Sequence, residues 1–499
     1  MSDNNKNDND KDKEKELPEP KEQTAVTQHS LTIDGRSYEY TVTAGTMLLK
    51  EEEEKEGKAQ GEKSKATIFY VAYTLDAVDG EAIEAGQRPL TFSFNGGPGS
   101  SSVWMHLGLL GPRRVAMADE DGRLGPPPYQ LVDNEHSLLD KTDLVFIDPV
   151  STGFSRAVPG EKPKDFHEFE KDIHSVGDFI RLYTSRNGRW PSPKFLIGES
   201  YGTTRAGGLS GYLQQRHGMY FNGLMLISSV LNFQTLYFTP NNDLPYILFL
   251  PTYTATAFYH GKLDDELQQD LSQTLAEVNA FALNEYTLAM MQGAALPTEQ
   301  RAEVAAKVAR YTGLSPEYVE RSNLRLRIDR FCKELRRDEG LTVGRLDSRY
   351  TGFDRDNVGE SFEFDPSYAA IQGPYTATMN DYVRRELEFE SDLPYEILTD
   401  KVWPWNYKKF QNSFVDVAET LRQAIATNPY LKVYVANGYY DLATPYLATE
   451  YTFNHLGLPP AYQANISMGY FEAGHMMYLH LPSLAQLKAE LAEFVETAV

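Results

Sequence analysis

Three side chains in this sequence could together turn an alcohol into a nucleophile. Ser200 sits in Gly198-Glu199-Ser200-Tyr201-Gly202, Asp441 follows Asn437-Gly438, and His475 follows Glu472-Ala473-Gly474. A serine hydroxyl is a poor nucleophile at neutral pH. It needs a base within hydrogen-bond reach, and the base needs an acid to fix its tautomer. Taken singly, each residue has a plainer reading. A Ser between glycines is an ordinary strand-to-helix turn, and an Asp after a strand is a cap. Of the histidines that follow Asp441, His455 falls in a helical pattern and His480 lies just before Pro482. Both read as packing or surface residues, whereas His475 lies in a turn after a strand. Ser, Asp and His in this chain order, each past the end of a strand, point to acyl transfer.

A second stretch could serve the same reaction. Asn95-Gly96-Gly97-Pro98-Gly99-Ser100 is dense in glycine, which lets backbone N–H groups converge on one point. A phosphate cradle would need a GxxxxGK[ST] arrangement, and that is missing. A plain tight turn is one reading. The functional one is an oxyanion hole, with the N–H groups of Gly97 and Tyr201 holding the charge that develops on an attacked carbonyl.

The elements that must hold these residues are legible as periodicity. Apolar runs at 89–94, 143–148, 195–199, 224–229, 431–438 and 466–471 read as strands. A helix is expected over 166–186, another after the elbow at Ser200, and a closing amphipathic helix over 484–499. Alternation of strand and helix predicts an α/β domain with a mainly parallel sheet, which binds its ligands beyond the carboxyl ends of the strands. Residues 26–75 carry alternating patterns typical of antiparallel strands, with the Glu/Lys/Gly block 50–64 as a solvated hairpin tip. From 235 to 400 helical patterns take over, at 263–283, 298–312 and 315–337. This stretch is expected to be a helical cap inserted between core segments 26–234 and 401–499. Residues 1–25 are charged and poor in apolar residues, and are expected to be disordered.

Composition narrows the function class. The chain has 499 residues, 41% of them hydrophobic, and a net charge of −23, which argues against nucleic acid or an anionic membrane as partner. Cys332 is the single cysteine, so no intrachain disulfide forms; without a His or CxxC neighbour it reads as a buried structural thiol. No apolar run is long enough to span a bilayer. The first 21 residues contain no secretory h-region, so the literal expectation is a cytoplasmic protein; an exported one whose signal has been removed is the alternative. Oligomeric state is not readable from the sequence.

Four separated segments resemble the serine carboxypeptidase family (peptidase S10): Asn95 to Ser102, Asp148-Pro149-Val150-Ser151-Thr152-Gly153-Phe154-Ser155, Gly198 to Gly202, and Gly474-His475-Met476. Asp441 falls where the family's acid falls. The resemblance implies an α/β-hydrolase fold without metal or cofactor. It also implies release of single C-terminal amino acids from peptides with a free C-terminus, through an acyl-enzyme. It assigns Asn95, Gly96 and Glu199 to the substrate carboxylate, and places Met476 at the substrate pocket. A protonated Glu199 could donate to that carboxylate, which favours acidic operation. The sequence departs from the family at Leu109, where a second carboxylate-binding Glu is usual, at Ser100 in place of a Cys, and at Gly202 in place of an Ala. These departures fit a divergent, bacterial-type branch. His106, Arg113 and Arg114 lie near Leu109 in sequence, which does not place them in the pocket. Two other readings share the same residues: an esterase or acyltransferase using the same triad, and a non-catalytic peptide-binding protein of the same fold.

Overall fold

The computed structural model describes residues 20–499. Most of the tail expected to be disordered, residues 1–19, lies outside the described residues. Of the remainder, Thr24 and Ala25 already belong to the first strand.

The main path of the central sheet is built from β1 (Thr24–Ile33), β2 (Arg36–Lys55), β3 (Lys58–Val78), β4 (Leu90–Phe94), β5 (Asp143–Ile147), β6 (Lys194–Glu199), β7 (Gly223–Ile227), β8 (Lys432–Gly438) and β9 (Ile466–Phe471). Their spatial order is β1-β2-β3-β5-β4-β6-β7-β8-β9. The first three strands and the β3–β5 contact are antiparallel. From β5 to β9 every pairing is parallel. Parallel strands buried on both faces should read as continuous apolar runs, and they do. Phe195 and Ile197 point into one core with Met225 and Ile227. Leu196 points into the opposite core with Leu224 and Leu226.

Helices cover both faces. On the Leu196 face lie α1 (Phe169–Arg186), through Ile173, Val176 and Ile180, and α2 (Tyr201–His217), through Leu209 and Leu213. A third core belongs to the insertion. There α3 (Leu244–Tyr259), α4 (Leu271–Phe281) and α5 (Thr298–Thr312) pack through Leu248, Val278 and Val308. On the Phe195 face lie α6 (Pro366–Arg385), through Ile371 and Tyr375, and, past α7 (Tyr446–Asn454), the closing helix α8 (Leu481–Thr497), through Leu487 and Leu491.

Several expectations are corrected. The block 50–64 is paired strand for most of its length, and the turn itself is Glu56-Gly57, both at positive φ. Charged residues extend there because each strand supplies the other's backbone partners; Lys65 meets Glu53 across the ribbon, and Lys63 meets Glu161 outside it. The helix expected from 263 begins at Leu271, where the Asp270 carboxylate caps the Gln273 N–H. The one expected over 315–337 breaks into Pro316–Arg321 and Ile328–Glu334, because Asn323 and Leu324 adopt φ of 60° and 62°. The closing helix starts earlier, with Pro482 in its first turn, where a missing N–H costs nothing. Among the described residues no helix is long and apolar enough to cross a membrane.

Because β4, β6, β7, β8 and β9 run parallel, the chain leaves them along one rim of the sheet. Asn95, Ser200, Asp441 and His475 all follow strands that end there.

Candidate active site

The turn at Ser200 is strained by design of the sequence around it. Ser200 has φ 59° and ψ −128°, a conformation that non-glycine residues adopt only when their surroundings enforce it. The backbone is pinned on both sides: Ser200 N–H donates to Ile227 O (3.0 Å), and Ser200 O accepts from Thr203 N–H (2.8 Å) and Thr203 Oγ1 (2.7 Å). Two glycines make room. A Cβ on Gly198 would overlap Gly202 O, and one on Gly96 would overlap the Tyr201 N–H. The second contact brings the glycine-rich loop against the start of α2. Among the described residues neither the Gly97 nor the Tyr201 N–H donates to a protein acceptor.

The loop is held by charge as well as by fit. Arg205, fully buried, pairs with Asp172 (2.8 Å) and donates through a second nitrogen to Asn95 O (2.6 Å). Asp148 accepts from both the N–H and the hydroxyl of Ser102 (2.8 Å each), while Ser155 donates to Asp148 O (2.6 Å). The Asp148–Ser155 motif is therefore a scaffold behind the loop.

Asp441 and His475 meet directly, with His475 Nδ1–H donating to Asp441 Oδ2 (2.7 Å). The carboxylate accepts three further bonds, from the N–H groups of Ala443 (2.7 Å) and Thr444 (2.9 Å) and from Thr444 Oγ1 (2.6 Å). Burial opposes a charged imidazole, but the Asp441 charge and hydrogen bond outweigh it and hold the His475 pKa above its ordinary value. The histidine's own backbone is fixed from outside the core: His475 N–H donates to Leu346 O (2.6 Å), and Gly474 N–H donates to Asp347 Oδ2 (3.1 Å). Both acceptors belong to the stretch 235–400.

Glu199 is buried at 3% exposure. One oxygen accepts from Asn95 Nδ2 (2.9 Å), the other from Tyr478 OH (2.5 Å). Burial pushes its pKa up to about 7, against the opposing pull of the His475 charge and of those two hydrogen bonds.

Ser200, His475, Glu199, Gly96, Gly97, Tyr201 and Met476 line one cavity of about 820 Å³. Asn95 and Asp441 stand immediately behind it, touching Glu199 and His475. Leu109 is buried in the apolar core. His106 stacks on Phe146 and bonds Tyr73 OH (2.6 Å), Arg113 pairs with Asp133 and Glu386, and Arg114 faces Glu135. None of these four lines the cavity. Cys332 is buried within the insertion core. Sequence reasoning missed Tyr478, whose position three residues after His475 was the available signal, and Thr444, whose signal was its position three residues after Asp441. It also missed Trp104, Tyr368 and Arg345 on the cavity wall.

Comparison with known proteins follows the same lines. The family model described as serine carboxypeptidase matches residues 53–476. The pheromone-processing carboxypeptidase KEX1 of Saccharomyces cerevisiae is 34% identical over 147 residues, which are 28% of this chain and 18% of that protein. The chain thus matches less than a fifth of the length of that curated relative. The crystal structure of Kex1(delta)p, a prohormone-processing carboxypeptidase from Saccharomyces cerevisiae, superposes with a TM-score of 0.54 at 17% identity. The superposition covers 92% of this chain and 91% of that one. That likeness is one of fold, and the fold is that of an α/β-hydrolase.

Proposed function

The chain belongs to the serine carboxypeptidase family, and from that premise we propose that it releases single amino acids from the C-termini of peptides through an acyl-enzyme. The observation that carries this reading is Glu199, a carboxyl buried between Asn95 and Tyr478 beside the serine, with its pKa raised to about 7. A protonated Glu199 is a hydrogen-bond donor facing a cavity that also holds the reactive hydroxyl. A peptide's terminal carboxylate is the acceptor that fits it. An ionised carboxyl there would repel the same group.

The steps follow from the side chains. Ser200 Oγ attacks the last peptide carbonyl, while His475 Nε2 takes the hydroxyl proton. Negative charge forms on the carbonyl oxygen, where the Gly97 and Tyr201 N–H groups receive it. Asp441 keeps the His475 proton on Nδ1 and favours the imidazolium. His475 then gives its proton to the leaving nitrogen, the C–N bond breaks, and the terminal amino acid departs. Water, deprotonated by His475, attacks the ester, and Ser200 regains its proton as the shortened peptide leaves.

An esterase or acyltransferase would use the same Ser200, Asp441 and His475. The two readings separate on a peptide offered as its free acid and as its C-terminal amide, with products read by mass spectrometry. Faster loss of the last residue from the free acid supports the carboxypeptidase. Equal rates on acid and amide would refute it.

A further inference from the structure

One wall of the cavity is built from α6. Glu199 marks the end expected to take the terminal carboxylate. Its partner Tyr478 packs beside Tyr375 of α6, and Tyr375 lies 5.1 Å from the Trp104 ring, centroid to centroid. Tyr368 and Gln372, also on α6, join Trp104 on the cavity wall. The residue released by the enzyme therefore has α6 as its neighbour. Leu398, Trp403 and Tyr407 also line the cavity, and Ser100 of the glycine-rich loop bridges to Leu398.

Arg345 is tied to the start of α6. Its N–H donates to Asp365 Oδ1 (3.1 Å), and Asp365 caps the first turn of α6. The next residue, Leu346, accepts the backbone N–H of His475. The backbone at this arginine is thus anchored between the histidine turn and the start of α6, and Arg345, an exposed residue, lines the cavity. Among the described residues no carboxylate lies within ion-pair distance of its guanidinium, although most other arginines of the chain have such a partner. Asp347, the acid on its own loop, is paired with Arg349, and the oxygens of Asp365 are occupied by the N–H groups of Arg345, Leu346 and Ser367 and by the Ser367 hydroxyl.

We propose that Arg345 reads the side chain of the released residue, and that the enzyme prefers peptides ending in Asp or Glu. A guanidinium offers a fork of donors that matches a side-chain carboxylate in two parallel bonds. The proposal rests on the carboxypeptidase reading given above.

The test compares peptides identical except for a final Glu, Gln or Lys, with Arg345→Gln and Arg345→Glu variants beside the unmodified chain. In the unmodified protein the ratio of kcat/KM for Glu over Gln should be about tenfold, as one charge-assisted contact supplies. Arg345→Gln should bring that ratio near one, and Arg345→Glu should turn the preference toward Lys. A Glu-to-Gln ratio that is unaffected by Arg345→Gln overturns the proposal and leaves the carboxypeptidase reading standing. So does an equal loss on all three free acids that spares their C-terminal amides, since Arg345 would then hold the α-carboxylate instead. Failure of the unmodified protein to shorten any of the peptides overturns both.

Discussion

Two protons decide whether the site works. His475 must be neutral to accept the Ser200 proton, and its pKa lies above the ordinary value because Asp441 overcomes the effect of burial. Glu199 must be protonated to donate to the substrate, and its pKa is about 7. On the mechanism proposed above, the active form carries the proton on Glu199 and not on His475; the two groups feel each other's charge, so their apparent pKa values belong to the pair. The kcat/KM for peptide acids should therefore rise as His475 deprotonates and fall as Glu199 ionises above about pH 7. An ester without a terminal carboxylate should keep only the rising limb. Tyr478→Phe removes a donor that favours ionised Glu199, so the falling limb should move to higher pH; a limb that stays in place would contradict the role given to that hydrogen bond. Ser200→Ala should cost on the order of a millionfold in turnover with the fold intact, checked by peptide hydrolysis and circular dichroism. Ser200, Asp441 and His475 were legible because each follows a strand that ends on one rim. Tyr478 and Arg345 were not, since a tyrosine in a short turn and an arginine in a loop carry no periodicity that says what they face.

At the level of elements, the elbow and the histidine turn each depend on a close approach. A methyl group on Gly198 would overlap the carbonyl of Gly202. Gly198→Ala should cost about 3 kcal/mol or more through forced backbone movement, read as a large drop in thermal midpoint. The histidine turn leans on Asp347, which accepts from Gly474 N–H and pairs with the buried Arg349 at 2.7 Å. Asp347→Ala would leave that guanidinium without its carboxylate, holding only Glu472 O and the face of Tyr440, a loss of about 3 kcal/mol. Chemical denaturation measures it, and a change under 1 kcal/mol would show the pair to be dispensable. The strands of the sheet were readable from their apolar runs. The helices α3 and α6 were not, since Pro251 and Pro374 interrupt the patterns that announce a helix. Burial against neighbouring elements holds both together despite the missing N–H groups.

Taken whole, the molecule is an α/β core in which the long stretch 235–400, between β7 and β8, contacts the histidine turn. Alternation of strands and helices made the core legible, and the rhythm of the sequence changes after 235. That this stretch supplies Leu346, Asp347 and Arg345 to the histidine's surroundings depends on contacts distant in sequence, which no local pattern encodes. The β2–β3 ribbon is the opposite case, since its tip is exposed and none of its residues lines the cavity. Replacing Glu52–Glu62 by a two-residue turn should leave kcat/KM unchanged and alter stability by about 1 kcal/mol or less, because its ion pairs are largely solvated. A lost activity would show that the ribbon reaches the substrate. The bond from His475 N–H to Leu346 O has a kinetic consequence. The general base hangs from the same short loop that carries the proposed sensor of the departing residue. A misfitting terminal residue would tilt that loop and the imidazole with it. Discrimination between peptides should then be felt as slower turnover at saturation more than as weaker capture.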